Sequence, residues 1–221
     1  INTKCETSVT GLYAAGDASG NCFTGPTYGT LGSGMCNACC TGYRAGKYAA
    51  EYVKSAEYAE VDASELEELR KSVVGPLERK AGFSTDEVLL RVQQTIMPYE
   101  VHEIMKEDRL QAALTMFNFF HNHFVPKMYA VDPHDLRRYH EVKSMIVGAE
   151  MMLKASILRR ESRGAFFRED YPRRDDENWL KWIVVKKDEI SGMDLSTVDV
   201  PKEWQGDVNE PYEKRYVLQY H

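Results

Sequence analysis

Three cysteines fall within five residues, at Cys36, Cys39 and Cys40, and two more stand apart at Cys5 and Cys22. Thiolates at this density could ligate zinc or an iron–sulfur cluster. Such sites, however, want four ligands, usually as two separated pairs, and Cys5 and Cys22 do not make a second pair. The spacing predicts small packing thiols on a close-packed helix and no metal. Just ahead of them, Gly32-x-Gly34-x-x-Asn37 has the glycine spacing of a dinucleotide fingerprint. A fingerprint turn must follow a buried parallel strand, and here the preceding residues are Gly25, Pro26, Thr27, Tyr28 and Gly29. A glycine-rich helix start whose N–H groups face some other anionic or electron-rich ligand stays open. His121 and His123 are two apart, so a helix sends them to different sides, as packing residues rather than a metal pair. No serine sits on a recognisable strained turn, and no catalytic nucleophile can be named.

The run from Arg163 to Glu177 interleaves Arg168, Glu169, Asp170, Arg173, Arg174, Asp175 and Asp176 with Phe166, Phe167 and Tyr171. Alternating signs broken by Gly164, Pro172 and aromatics predict a loop pinned by ion pairs, a structural role.

The elements that must carry these residues divide the chain unevenly. Residues 1–50 hold nine of the fifteen glycines, all five cysteines and only five charges, whereas the remaining residues are charge-rich. Glycine-dense, charge-poor backbone is suited to a close approach to another surface or a flat ligand. Leu12–Ala15 predicts a short buried strand ending at Gly16 and Asp17, residues 18–30 a loop, and 31–53 a helix whose small residues (Ala38, Gly42, Ala45, Gly46, Ala49) make a flat face. Capping-box patterns at Ser64…Glu67 and Ser84…Glu87 open two helices, interrupted by Gly75-Pro76 and by Pro98. A third helix covers about 106–125 with Leu110, Ala113, Leu114, Phe117, Phe120 and Phe124 on one face. A fourth runs from the Asp132-Pro133 start to about 160, with a stripe of Leu136, Tyr139, Val142, Ile146, Ala149, Leu153 and Ile157. Helices of this length with short connections predict an antiparallel bundle. Trp182–Val185 reads as a strand and 190–221 as an irregular tail.

The fold class is therefore mostly α: a glycine-dense first segment, a helical bundle over 62–160, and a charged loop, short strands and tail over 161–221. Net charge of −6 gives no basic surplus for nucleic acid, and no apolar run approaches membrane-spanning length. Clustered, odd-numbered cysteines point to a reducing compartment.

In order along the chain, Thr10-Gly11-Leu12-Tyr13-Ala14-Ala15-Gly16-Asp17, the helix start Leu31-Gly32-Ser33-Gly34-Met35, and Glu161-Ser162-Arg163-Gly164 with Arg168 to Pro172 and Asp175 to Trp179 carry a resemblance. The chain resembles the C-terminal part of the flavoprotein subunit of the fumarate reductase and succinate dehydrogenase family, to which adenylylsulfate reductase α subunits belong. The resemblance implies that 1–58 are the end of an α/β FAD-binding domain, that the antiparallel helical bundle over 62–160 is the helical domain, and that 161–221 pack back on the FAD-binding part. It implies FAD as cofactor, with Gly16 and Asp17 at the ribityl or pyrophosphate region. Gly32, Ser33, Gly34 and Met35 would put backbone N–H groups beside the flavin pyrimidine edge, where a helix N-terminus stabilises the negative charge of reduced flavin. Thr27 and Tyr28 become substrate-side candidates. The implied partners are the remainder of the flavoprotein, an iron–sulfur subunit and a small-molecule substrate. The implied location is cytoplasmic or membrane-associated through partner subunits. The alternative is a non-catalytic helical interaction module of an electron-transfer complex. Two positions depart from the family pattern: an arginine before the flavin-facing helix is replaced at Gly29, and a histidine after Ser162-Arg163-Gly164-Ala165 is replaced by Phe166. Both point away from a dicarboxylate substrate.

Overall fold

The computed structural model describes residues 1–19, 23–24, 27–28, 32–58, 60–188, 192–205 and 210, with the side chains of 23, 24, 27, 28 and 204 left out. The chain divides into two compact units, one of Ile1–Gly75 with Arg163–Phe166, the other of Pro76–Ser162 with Phe167–His221.

In the first unit, the expected strand at 12–15 is reduced to one antiparallel bridge between Glu6 and Tyr13, supported by Ala14 N–H to Cys5 O at 3.1 Å. Leu12 is 54% exposed, so no apolar face holds a strand there. A 3₁₀ turn at Gly16–Ser19 follows. Strands β1 (Phe23–Thr24) and β2 (Thr27–Tyr28) pair antiparallel, Phe23 opposite Tyr28 and Thr24 opposite Thr27. Helix α1 spans Ser33–Tyr52 and α2 spans Ala63–Val74. The cap of α2 is Asp62 and not Ser64: its carboxylate accepts the N–H groups of Ser64 and Glu65, while Glu67 is paired with Arg70 at 2.8 Å. A carboxylate two residues earlier outcompetes the hydroxyl because it takes two amides at once.

The second unit is built on three helices. Strand β3 (Phe83–Ser84) leads into α3 (Thr85–Ile96), where the Ser84 hydroxyl accepts the Glu87 N–H at 3.2 Å, as the capping pattern predicts. Pro98 ends that run. A single turn, α4 (Tyr99–His102), and β4 (Ile104–Met105) precede α5 (Glu107–Phe119). Strand β5 (Met128–Tyr129) pairs parallel with β3. The longest helix, α6 (Pro133–Leu158), has Pro133 in its first turn and Asp132 as its cap, accepting Asp135 N–H at 2.8 Å. The predicted stripes of α5 and α6 meet: Leu110, Ala113 and Phe117 are buried, as are Tyr139, Val142, Ile146 and Leu153, and α3 adds Val88 and Val92. Each fully buried Leu or Phe contributes about 1.5–3 kcal/mol.

One feature of this core departs from the predicted third helix. After Phe119 the backbone passes into a π-helical turn at Phe120–Phe124 and then a 3₁₀ turn at Val125–Lys127. Residues four apart are in register across the wider turn, so Phe120 and Phe124 stack at 5.3 Å, and Phe83 lies 4.5 Å from Phe124. The two histidines do separate as expected. His121 Nδ1 is 3.2 Å from the buried Glu150 carboxylate, and His123 packs on Phe119 at 4.7 Å.

Beyond α6, β6 (Phe167–Arg168) pairs parallel with β4, and α7 (Asp176–Trp179) is one turn capped by Asp175. The tail holds more order than predicted. Strands β7 (Lys181–Asp188) and β8 (Gly192–Asp199) form an eight-pair antiparallel hairpin, from Lys181 opposite Asp199 to Asp188 opposite Gly192.

Candidate functional site

In the first unit the chemistry centres on α1. Gly16 is buried at φ +60°, a conformation that L side chains rarely adopt, and a Cβ there would lie 3.3 Å from the Ala38 methyl. Its N–H donates to Thr41 Oγ1 at 2.8 Å, and that hydroxyl donates to Asn37 O at 2.5 Å. The Ser19 hydroxyl closes the turn onto Gly16 O at 2.6 Å. Small residues at 38 and 41 therefore seat the Gly16–Ser19 turn, with Asp17, directly against the helix. The flat face predicted from composition is used here for close backbone approach.

The first turn of α1 is unusual. Its cap is Gly32 at φ +78°, which has no side chain to accept first-turn amides, so the cap makes no side-chain hydrogen bond. The helix begins with Cys36 N–H on Gly32 O at 3.0 Å. Asn37 Nδ2, in the following turn, is a buried donor with no hydrogen-bond partner among the described residues. Backbone N–H groups at a helix start, with the positive end of its dipole and an unsatisfied amide donor close by, suit an anionic or electron-rich acceptor. Sequence reasoning passed over Asn37. It stood in the fingerprint pattern, but its burial could not be read from spacing.

Of the predicted site residues, Gly16, Asp17, Gly32, Ser33, Gly34 and Met35 thus lie on α1 or on the turn packed against it. Thr27 and Tyr28 lie on β2, and Gly25, Gly29 and Leu31 fall outside the described residues. The cysteines differ from expectation. Cys5 is buried, but Cys36, Cys39 and Cys40 are exposed thiols. The Gly16 turn occupies the face of α1 bearing Ala38 and Thr41, the side away from the three thiols. Among the described residues no group of three or more His, Cys, Asp or Glu side chains is placed to hold a metal ion.

In the second unit, the charged run folds into a pinned loop, as its sign alternation predicts. Arg168 is fully buried. Its Nε and Nη2 donate to the two oxygens of Asp170 at 2.8 and 2.7 Å, Nη2 also reaches Glu107 at 3.3 Å, and Nη1 donates to the carbonyls of Ser156 and Arg159. The equally buried Glu161 accepts Arg159 Nη1 at 2.5 Å and Asp175 N–H at 2.9 Å. Ser162 Oγ accepts Arg168 N–H at 2.9 Å and donates to Tyr171 O at 2.8 Å. Glu161, Ser162, Arg168, Asp170 and Asp175 therefore close the loop on the start of α5 and the end of α6.

This network has a pH signature. The Arg168 guanidinium hydrogen-bonded to Asp170 holds its carboxyl down at about 2, aided by Glu107 N–H, against an ordinary 3.8. A depressed carboxyl contributes stability that is present above pH 4 and is lost as pH falls toward 2, worth about 2 kcal/mol here. Urea midpoints measured from pH 5 to pH 2 should fall accordingly, and Asp170→Asn should remove that part of the decline. An unchanged pH profile in the variant would show that Asp170 is not the titrating group.

The two units thus carry a glycine-capped helix start and a three-helix core closed by a buried guanidinium–carboxylate network. Residues 92–216 match the family described as fumarate reductase flavoprotein C-term, and the chain belongs to that family. An FAD-dependent oxidoreductase of Methanocaldococcus jannaschii, itself described as uncharacterized, is 30% identical over 84% of this chain and 33% of its own. The adenylylsulfate reductase of Archaeoglobus fulgidus superposes with a TM-score of 0.68 at 25% identity, over 75% of this chain and 29% of that one. An E. coli quinol fumarate reductase gives a TM-score of 0.74 at 20% identity, over 89% of this chain and 35% of that one. The chain spans about a third of the length of the curated relatives it matches. Among the described residues no helix is long and apolar enough to cross a membrane.

Proposed function

We propose that this chain is the C-terminal region of an FAD-dependent oxidoreductase flavoprotein, and that residues 16–17 and 32–35 are its contribution to the flavin site. The observation that carries the reading is the first turn of α1: a left-handed glycine cap with no side chain, beside the buried and unsatisfied Asn37 amide. Both features fit the electron-rich edge of a flavin and are unfavourable without an acceptor. Bound FAD would supply two-electron chemistry between a small substrate and an electron-transfer partner of the iron–sulfur type. The residues of this chain would bind and orient it. First-turn N–H groups of Ser33, Gly34 and Met35 would stabilise negative charge on the bound ring, and Asp17 would accept a hydrogen bond from a ribityl hydroxyl. Thr27 and Tyr28 would face the substrate side. Substrate-activating residues would come from elsewhere in the flavoprotein. A dicarboxylate is disfavoured as substrate because Gly29 stands where the family resemblance implies an arginine, and Phe166 where it implies a histidine. The working location is cytoplasmic, or at a membrane through partner subunits.

In the intact flavoprotein, Asp17→Ala should weaken flavin retention about 10- to 100-fold, the loss of one charge-assisted hydrogen bond. Flavin stoichiometry of the purified variant, read from visible absorbance against protein, checks this. Full occupancy would remove Asp17 from the site. A parent protein that holds no flavin at all would favour the interaction-module reading.

A further inference from the structure

The three exposed thiols of α1 have no part in the flavin reading. At 3.6 residues per turn, Cys36, Cys39 and Cys40 fall within an arc of about 100°. That arc lies opposite the side on which the Gly16 turn meets Ala38 and Thr41. Exposed thiols one turn apart are open to thiol–disulfide exchange. Cys39 and Cys40 are adjacent, and a bridge between them cannot form on helical backbone. Cys36 and Cys39 stand one turn apart, with Cβ atoms about 5–6 Å from each other where a disulfide needs about 3.5–4.5 Å. The missing ångström or two must come from the backbone, and the first turn supplies it. The Cys36 amide makes the first bond of the helix, Gly32 contributes no cap, and Gly34 carries no side chain. A Cys36–Cys40 bridge would instead have to deform the regular helix past that turn.

We propose that Cys36 and Cys39 form a reversible dithiol–disulfide site that exchanges with a low-molecular-weight disulfide of the glutathione type. Cys36 lies nearer the start of α1 than Cys39 does, where the positive end of the helix dipole stands, and it is the attacking group. Its thiolate attacks one sulfur of the small disulfide, forming a mixed disulfide and releasing one thiol. Cys39 then attacks the Cys36 sulfur and displaces the second thiol. Two electrons and two protons leave the pair of cysteines and reduce the small disulfide to two thiols. Cys40 is a bystander. This inference does not rest on the flavin assignment.

The test treats the purified native protein with oxidised glutathione, alkylates it and maps the cysteines by mass spectrometry. Cys36 and Cys39 should lose alkylation together and be joined by a bond that dithiothreitol removes. Cys39→Ser should stall with a glutathione adduct on Cys36, and Cys40→Ser should behave as the parent, with circular dichroism confirming that both variants are folded. A bridge that includes Cys40, a lasting glutathione adduct on Cys36 in the parent, or undiminished alkylation would overturn the proposal.

Discussion

Arg168→Ala is expected to cost the second unit about 3 kcal/mol, because removing the buried guanidinium leaves the half-buried Asp170 carboxylate and the carbonyls it bonded without their partner. The guanidinium is fully buried and holds Asp170, Glu107 and the carbonyls of Ser156 and Arg159 together, with the Tyr171 ring 5.1 Å away. Those groups come from α5, from the end of α6 and from the loop after β6, so one substitution releases three segments at once. Arg168→Lys is the informative companion. It keeps the charge but loses the planar fork that meets both oxygens of Asp170, and should recover only part of the loss. Denaturant unfolding of the two variants checks the ranking. An alanine variant within 1 kcal/mol of the parent would mean that water enters and replaces the guanidinium.

The parts of this structure that were legible in the sequence are those fixed by local chemistry. Helices α3 and α6 begin at Ser84 and Asp132 because a hydroxyl or carboxylate at the cap satisfies an amide within three residues, and α5 and α6 bury the stripes their periodicity marks. The loop at 163–177 was legible as an ion-paired loop, but not its geometry, since Arg168 meets Glu107 across some sixty residues. Three features depended on context that spacing does not carry. The π-helical turn at Phe120–Phe124 arises because widening the turn stacks two phenylalanines in the core. Strand β8 alternates Met193, Leu195 and Thr197 against polar neighbours too weakly to announce itself without β7 opposite. Leu12–Ala15 had the composition of a strand but found no sheet among the described residues. At the candidate site the glycines were legible by spacing. The orphaned Asn37 amide and the exposure of the cysteines were not, because both depend on which side of α1 the Gly16 turn occupies.

The second large effect is expected at a glycine that no motif singles out. Gly82 adopts φ +143°, and a Cβ there would stand 1.8 Å from the carbonyl oxygen of Lys127 and 3.0 Å from its carbon. The obstruction is backbone, with no side-chain rotation to relieve it. This contact sits where β3 pairs with β5, Phe83 opposite Met128, and Arg79 Nη1 donates to Met128 O at 2.5 Å on the same segment. Gly82→Ala must therefore either separate the two strands or pull Phe83 away from Phe124, and the backbone strain and overpacking together should cost about 3 kcal/mol or more. Gly148→Ala supplies the contrast. It lies within α6, a Cβ there meets nothing within 4 Å, and alanine should stabilise the helix by about 0.5–1 kcal/mol. Opposite shifts in the denaturation midpoint of the two variants are the expected outcome. A Gly82→Ala protein as stable as its parent would show that the β3–β5 pairing is not held at this close approach.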